Sequence, residues 1–258
     1  MQSNRNNSLE PISLCNWRWS YFLNETIKAF SIFQPRPYPI ESDFLFREAC
    51  FGSSSNPKKV ILETWGLKTE KIRQARCACL QAGEITSVMN LVISPFNNYD
   101  LPFFGADFVT LPSGHLIALD LQPALKDDLI NTKYVLEKLK SIHANWQSKL
   151  PSGGEIPSEA KQYFSPDFLW TRIPLGEDGD KLINQVIKPA FDEYLNYFLD
   201  LVTNAKRISP ERSSNLLNGQ KKYMRYRAEK DPARGMLRGF FGDRWTERYI
   251  NNILFDLQ

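Results

Sequence analysis

The chain has 258 residues, of which 42% are hydrophobic and 13% aromatic, and this is enough to bury a substantial core. Its formal net charge of +3 is too small to indicate a nucleic-acid-binding protein. No apolar run approaches the ~20 residues that span a bilayer, and the first sixteen residues are polar and lack a secretory hydrophobic region, so we expect a protein that stays inside the cell.

The N-terminal part predicts a loose tail followed by one helix. We expect residues 1–16 to form a flexible tail and residues 17–258 to form a single domain, because the sequence contains no internal repeat, low-complexity linker or long charge block. Between Trp17 and Phe33 apolar residues recur at helical spacing, and three prolines between residues 35 and 39 end the helix.

The middle of the chain changes to the pattern of strands. Five segments are short, rich in strand-forming residues and divided by turn signals such as Ala82-Gly83. These segments are Val60–Trp65, Lys71–Gln81, Ile85–Ser94, Phe104–Leu111 and His115–Leu121. Parallel strands need crossover connections of a dozen or more residues, whereas the gaps here are only a few residues long. We therefore expect a mainly antiparallel sheet.

Helical spacing returns in the second half of the chain. Apolar residues recur between Val135 and Trp146 and again between Leu182 and Phe198, with a loop at Pro151–Pro157 and an added strand within Tyr163–Pro174. The last fifty or so residues predict shorter helices that a proline and a glycine interrupt. Helices before and after a central antiparallel sheet can cover both of its faces. The sequence therefore predicts an α/β fold, a three-layer α/β/α sandwich.

Asp107 is the first candidate for chemistry. The alternation of a strand places it on one side of its segment with Gly105, Val109 and Leu111. A carboxylate among apolar side chains tends to keep its proton, which makes Asp107 a candidate acid near neutral pH. An edge-strand aspartate bonded to a backbone group or an arginine is the alternative. The nearby Gly105 favours a functional role for Asp107, because the missing side chain lets a flat ligand approach the sheet.

Asn90 lies in another predicted strand, where asparagine is depleted. A ligand amide or carbonyl would satisfy both ends of its side chain, and a cross-strand partner would serve equally. The sequence leaves these two explanations level.

Asp231 is a second candidate acid, far downstream in the segment KDPARG. It precedes Pro232, so helix capping is the alternative role. The surrounding cations Arg227, Lys230 and Arg234 would lower its pKa if they lie close, which opposes a buried-acid role. The sequence alone does not decide between these effects.

Other common kinds of site have little support. The chain has only two histidines, His143 on the apolar side of a predicted helix and His115, which follows a turn and is expected to be exposed. The motifs of serine hydrolases, zinc proteases and nucleotide-binding loops are absent. The four cysteines lack the spacing of a metal site, so we expect reduced structural thiols at Cys15, Cys50, Cys77 and Cys79 and no metal centre.

The C-terminal quarter is the basic side of the protein. Residues 221–248 contain nine lysines and arginines against four acidic residues, a local excess of five positive charges. Such a surface could hold an anionic ligand or steer an acidic protein partner. A solvated helix face is the alternative for any one of these residues.

At these residues the chain resembles the ferredoxin-dependent bilin reductases. The shared motifs extend from about residue 17 to the end and together form a specific match. They are DLPFFGAD with Asp107, Asn90 seventeen positions before it, LDLQP at 119–123, FLWTR at 168–172, and the terminal KDPARGML and WTERYINNILFD. The resemblance is strongest to the branch that forms phycoerythrobilin from 15,16-dihydrobiliverdin.

The resemblance implies a sandwich whose sheet forms one wall of a bilin pocket and whose C-terminal helices form the other. Such enzymes carry no redox cofactor of their own. Electrons come singly from reduced [2Fe–2S] ferredoxin, an acidic partner, and the bilin passes through radical states. The preceding reductase is a further expected partner, for substrate transfer. The expected compartment is the cytoplasm, or the stroma of a plastid; nucleic acid and membrane are not expected partners.

The resemblance also implies roles for single residues. Asp107 would be the acid on the sheet wall beneath the pyrrole nitrogens, and Asp231 the acid on the helix wall near the A-ring. Asn90 occupies the position at which the reductases that make phycocyanobilin carry a histidine, which favours the phycoerythrobilin-type branch. Cationic partners for the two propionates would come from Arg172, Arg225, Arg227 and Arg234, any of which could instead belong to the ferredoxin-docking face.

Three alternatives remain at this point. Within the family, the rival is the enzyme that reduces biliverdin at the 15,16 bond, or one enzyme that performs both steps. A non-catalytic bilin carrier would use the same pocket, although binding alone does not require paired acids. A basic nucleic-acid-binding domain would show strongly salt-dependent affinity, but the charge here lies beside apolar helix positions without an aromatic stacking platform.

Overall fold

The structure is a computed structural model that describes residues 17–125, 127–156, 158–161 and 164–256. The predicted N-terminal tail and Cys15 lie outside these ranges. Eight strands form one sheet within the described residues. They are β1 (Arg36–Pro37), β2 (Phe46–Ser53), β3 (Asn56–Lys68), β4 (Ile72–Ala82), β5 (Thr86–Pro95), β6 (Phe103–Leu111), β7 (Gly114–Gln122) and β8 (Leu169–Ile173).

The sheet is an antiparallel meander. From β3 to β8 each strand pairs with the next, while β1 and β2 both pair with the outer edge of β3. The five predicted strands and the added strand near residue 170 are confirmed. At the β6–β7 turn Gly114 has φ +131°, and a Cβ there would meet the Ile173 oxygen at 2.8 Å, so this hairpin requires glycine.

Nine α-helices complete the described part of the chain. They are α1 (Ser20–Phe30), α2 (Ser42–Leu45), α3 (Leu129–Gln147), α4 (Ser158–Lys161), α5 (Glu177–Leu182), α6 (Lys188–Asn204), α7 (Pro210–Glu229), α8 (Arg234–Phe241) and α9 (Asp243–Tyr249). A π-helical turn joins α5 to α6, and another follows α9. The C-terminal breaks fall beside Pro232 and Gly242 as predicted, although α7 is longer than expected. None of these helices combines the length and the apolar character of a membrane span.

Two apolar cores lie on opposite faces of the sheet. On one face α1, α3 and α6 pack on the first core, in which the Phe22 ring lies 4.7 Å from that of Phe108 and 5.1 Å from that of Phe191. On the other face α2, α7, α8 and α9 cover a second core that includes Phe103 and Tyr249. Each face buries enough apolar surface to hold its helix layer. The predicted three-layer α/β/α sandwich is confirmed.

The expectation of an exposed His115 is wrong. Its side chain is buried, with Nδ1 3.0 Å from Thr110 Oγ1 and the ring packed edge-on against Trp19. Residues 110 and 115 face each other directly across the β6–β7 hairpin, on the face that α1 covers. Burial and the nearby Arg18 lower the histidine pKa, which favours the neutral ring.

Candidate active site

Asp107 lies in the middle of β6, on the sheet face that α7 to α9 cover. Val109, two residues away on the same face, packs against the second core, whereas Ala106 and Phe108 belong to the first. The predicted alternation of side chains along β6 is therefore confirmed. Asp107 is half-buried as a residue, and its carboxyl group is buried.

Asn90 is the direct cross-strand neighbour of Asp107. Its position on β5 is opposite residue 107 of β6, so the two side chains point to the same face. The Asn90 Oδ1 accepts a hydrogen bond from Arg76 on the neighbouring strand β4, and Asn90 favours the charged form of the Asp107 carboxyl group, which lowers its pKa. Of the two explanations that the sequence left open, a cross-strand partner is therefore present.

Asp231 approaches from the opposite wall, in the turn between α7 and α8. Its Oδ1 accepts a hydrogen bond of 2.9 Å from the Ala233 N–H, which helps the chain to enter α8. This bond uses one of the two carboxyl oxygens. The capping role and an acid role are therefore compatible.

Burial dominates the electrostatics of both aspartates. It raises the pKa of Asp107, against the lowering effects of Arg227, Asn90 and Arg76, while Asp231 raises it further. Burial also raises the pKa of Asp231, although Arg227, Arg76 and the Ala233 N–H oppose it. At Asp231 the effect of burial therefore outweighs that of the nearby cations, and the pKa is raised. Both groups hold a proton to a higher pH than an exposed aspartate does.

Arg227 of α7 connects the two walls electrostatically. Burial lowers its pKa, but the attraction of Tyr223, Asp107 and Asp231 outweighs this and leaves it raised. Nη1 donates to the Tyr223 hydroxyl at 2.9 Å, and the Tyr223 ring stacks on Phe103 at 4.6 Å. The guanidinium is therefore held beside both aspartates as a fixed positive charge.

The model of the ferredoxin-dependent bilin reductase family matches residues 23–256. The chain belongs to this family. Bilin reductases are oxidoreductases, so the chain is an enzyme of that class.

Similar proteins agree with this assignment. The phycoerythrobilin:ferredoxin oxidoreductase of Prochlorococcus marinus strain NATL2A is 80% identical over 258 residues, which is the full length of both chains. That of Synechococcus sp. strain RCC307 is 56% identical over all of this chain and 98% of the relative. Among solved structures, phytochromobilin synthase from tomato in complex with biliverdin has a TM-score of 0.78 at 25% identity, over 92% of this chain and 81% of that one.

The other three predicted arginines of this bilin reductase lie in different surroundings. Arg172 is exposed on the edge strand β8, opposite Leu116 and therefore on the Asp107 face. Arg225 is exposed on α7. Arg234 forms an ion pair with Glu247 and donates to the Ala228 oxygen, so it joins the end of α7 to α8 and α9.

Sequence reasoning missed Arg76 and Asp120, which lie on the same face. Arg76 is fully buried on β4 and donates to Asn90. Asp120 is opposite Gly105 and accepts hydrogen bonds from the Ser165 N–H and hydroxyl. Arg76 stands in phase with the apolar Ala78 and Leu80 of its strand, and this was the signal that could have found it, whereas Asp120 lies out of phase with the buried apolar residues of β7.

Gly105 stays a candidate for ligand contact. A Cβ at this position would meet only the Gln122 Nε2, at 3.9 Å, so packing within the protein does not require glycine here.

Among the residues that the structure describes, no group of three or more histidine, cysteine or acidic side chains is arranged to hold a metal ion. The thiols of Cys77 and Cys79 are buried side by side on β4, 3.4 Å apart, and both are free cysteines.

Proposed function

We propose that this bilin reductase converts 15,16-dihydrobiliverdin to 3Z-phycoerythrobilin. The reaction adds two electrons and two protons to the A-ring diene system. Two reduced ferredoxins each supply one electron and leave oxidised, so the bilin passes through a radical state between the two transfers. Each electron makes the tetrapyrrole more basic, and an acid within hydrogen-bond reach then supplies a proton.

The observation that carries this proposal is the pair of aspartates on opposite walls. Asp231, after α7, raises the pKa of Asp107 on the sheet, and burial raises the pKa of both. A flat ligand between the walls would meet one acid on each side. The names of the relatives that match over their full length support the choice of product.

The proposed roles are those that the resemblance to the family implies. Asp107 protonates from beneath the pyrrole nitrogens, and Asp231 protonates near the A-ring. Asn90 orients Asp107 and offers its amide to the bilin, and Arg227 balances negative charge between the walls. Arg172, exposed at the edge of the same face, is the candidate for a propionate.

The proposed electron donor is reduced [2Fe–2S] ferredoxin, with no redox cofactor held by the enzyme itself. Arg225 is exposed on the basic C-terminal side, which suits an acidic protein better than a buried propionate. Arg234 already pairs with Glu247 and would have to exchange partners to bind a ligand. We assign the reaction to the cytoplasm or a plastid stroma, with substrate received from the preceding reductase.

An anaerobic assay with reduced ferredoxin tests the proposal. Either 15,16-dihydrobiliverdin or biliverdin is supplied, absorbance is followed and the products are identified. Conversion of the dihydro compound alone to phycoerythrobilin is the expected result. Reduction of biliverdin at the 15,16 bond would instead assign the chain to the rival reductase, and conversion of both would mean that one enzyme performs both steps.

A further inference from the structure

A fully buried arginine lies behind the asparagine of the site. Arg76 on β4 has 0% exposure, and its Nε donates to the Leu254 oxygen at 3.1 Å. Its Nη1 donates to the Asn90 backbone oxygen at 2.8 Å and also to the Asn90 Oδ1. Within the described residues Nη2 has no hydrogen-bond partner, and no carboxylate forms an ion pair with this guanidinium.

Stability alone does not account for this arginine. Burying a guanidinium without a paired carboxylate is costly, and an apolar side chain on the same strand face would avoid that cost. Its neighbours in phase along β4 are Gln74, which donates to the Ile253 oxygen, and the apolar Ala78 and Leu80 of the second core. The position therefore points to a role in the site.

The contact fixes the orientation of the Asn90 amide. A guanidinium has donors but no acceptor, so the Asn90 atom that faces Arg76 must be the carbonyl oxygen. The NH₂ group then faces away from Arg76 and is available to Asp107, the direct cross-strand neighbour of Asn90. If the amide turned over, Arg76 and the Asn90 NH₂ would meet as two donors, and Asp107 would lose its donor.

We propose that Arg76 is a positioning residue, which holds Asn90 so that its NH₂ donates to Asp107 and thereby sets the pH at which Asp107 releases its proton. The inference rests on the proposed function for its meaning, because it concerns the acid of that reaction. A donated hydrogen bond favours the charged carboxylate, and the positive charge of Arg76 acts in the same direction. In this site burial would favour the protonated form of Asp107. The hydrogen bonds from Arg76 to Asn90 and from Asn90 to Asp107 would favour release of that proton.

Several other groups act on Asp107 from the surrounding elements, and the test has to separate them from Arg76. Arg227 comes from α7 and Asp231 from the turn after it. The charged and titratable groups around the cluster are Arg76, Tyr223, Arg227, Asp231, Arg234, Tyr249 and, on β7, Asp120.

The test is a pH titration of the full-length protein without bilin or ferredoxin. Aspartate is labelled with ¹³C at the carboxyl carbon, and the Asp107 signal is assigned by its loss in Asp107→Asn. In Arg76→Met the apparent midpoint should rise by on the order of one pH unit. The matched control is Arg73→Gln, because Arg73 also lies on β4 and donates to the C-terminal segment at Asp256. It should leave the midpoint unchanged.

A second pair of variants separates the hydrogen bond from the charge and covers a failure to fold. In an Asn90→Ala background, adding Arg76→Met should shift the midpoint much less than it does alone. Arg76→Lys keeps the charge without the planar fork and should give a smaller upward shift than Arg76→Met. If Arg76→Met does not fold, the midpoint of Arg76→Lys alone tests the role of Arg76.

Three results would overturn the inference: an unchanged midpoint in the Arg76 variants, an equal shift in Arg73→Gln, or a full shift that persists without Asn90. Because the titration uses neither bilin nor ferredoxin, its outcome is independent of the turnover assay. A failed proposal of A-ring reduction and a failed proposal for Arg76 are thus distinguishable.

Discussion

Asp120 should make the stability of the protein depend on pH. Its side chain is 1% exposed, and the Ser165 N–H donates to it at 2.8 Å. Burial raises its pKa from an ordinary 3.8 to about 6, although the hydrogen bonds from Ser165 oppose the rise. A carboxyl group with a raised pKa stabilises the fold fully below its unfolded pKa, and this contribution is lost as the pH rises through the folded value.

The size of the effect follows from the two pKa values. The full difference corresponds to about 3 kcal/mol in the free energy of unfolding. Between about pH 5 and about pH 7.5 the contribution of Asp120 should fall by about 1.4 kcal/mol. Urea unfolding of the wild type and Asp120→Asn at both pH values measures it. The wild type should lose that amount relative to the variant as the pH rises.

Hydrogen bonds lost in Asp120→Asn add an offset that is the same at both pH values, so it cancels from the comparison. Ser165→Ala is the matched control, because it removes a donor but keeps the carboxyl group. Its pH dependence should equal or exceed that of the wild type, since the lost bond was lowering the pKa. A stability difference between wild type and Asp120→Asn that does not change with pH would refute the reasoning.

Three further predictions concern the site itself. Asp231→Asn should block A-ring reduction and leave bilin binding intact, as turnover and absorbance titration would show; unchanged turnover removes Asp231 from the mechanism. Gly105→Leu should fold normally, because a side chain there first meets the flexible end of Gln122, yet bind bilin more weakly; a normal affinity would argue against ligand contact. Arg227→Gln removes a cation that lowers the pKa of both aspartates, so the alkaline limit of activity should move to higher pH, and a move to lower pH would contradict this sign.

Much of the fold could be predicted because its signals are local. The alternation along β6 assigned Asp107 to one face, and the short gaps between strands required antiparallel pairing. The strand β2 was not predicted. It lies at the edge of the sheet, so it buries few side chains and its sequence shows little alternation of apolar and polar residues. The buried His115 was missed for a related reason: α1, which covers it, is distant in sequence.

The site was predictable only in part, because its energetics depend on contacts between distant segments. The sequence around Asp231 contains cations that lower its pKa, whereas the burial that raises it exists only in the folded chain. Arg76 meets Leu254, 178 residues away, and no local pattern reports such a contact. The motif with Asp107 was recognisable, but the buried Arg76 that donates to Asn90 was not.

The two faces of β6 have a consequence for how this protein can change over time. One side of the strand presents Gly105 and Asp107 to the site, and the other buries Phe104 and Phe108 in the first core. Loss or gain of a single residue before Asp107 would turn the following side chains over, bringing a phenylalanine to the face of the candidate site and a carboxylate into the aromatic core. Single substitutions on the site face leave the opposite face intact. The strand is therefore open to replacement of its side chains, while its length is constrained.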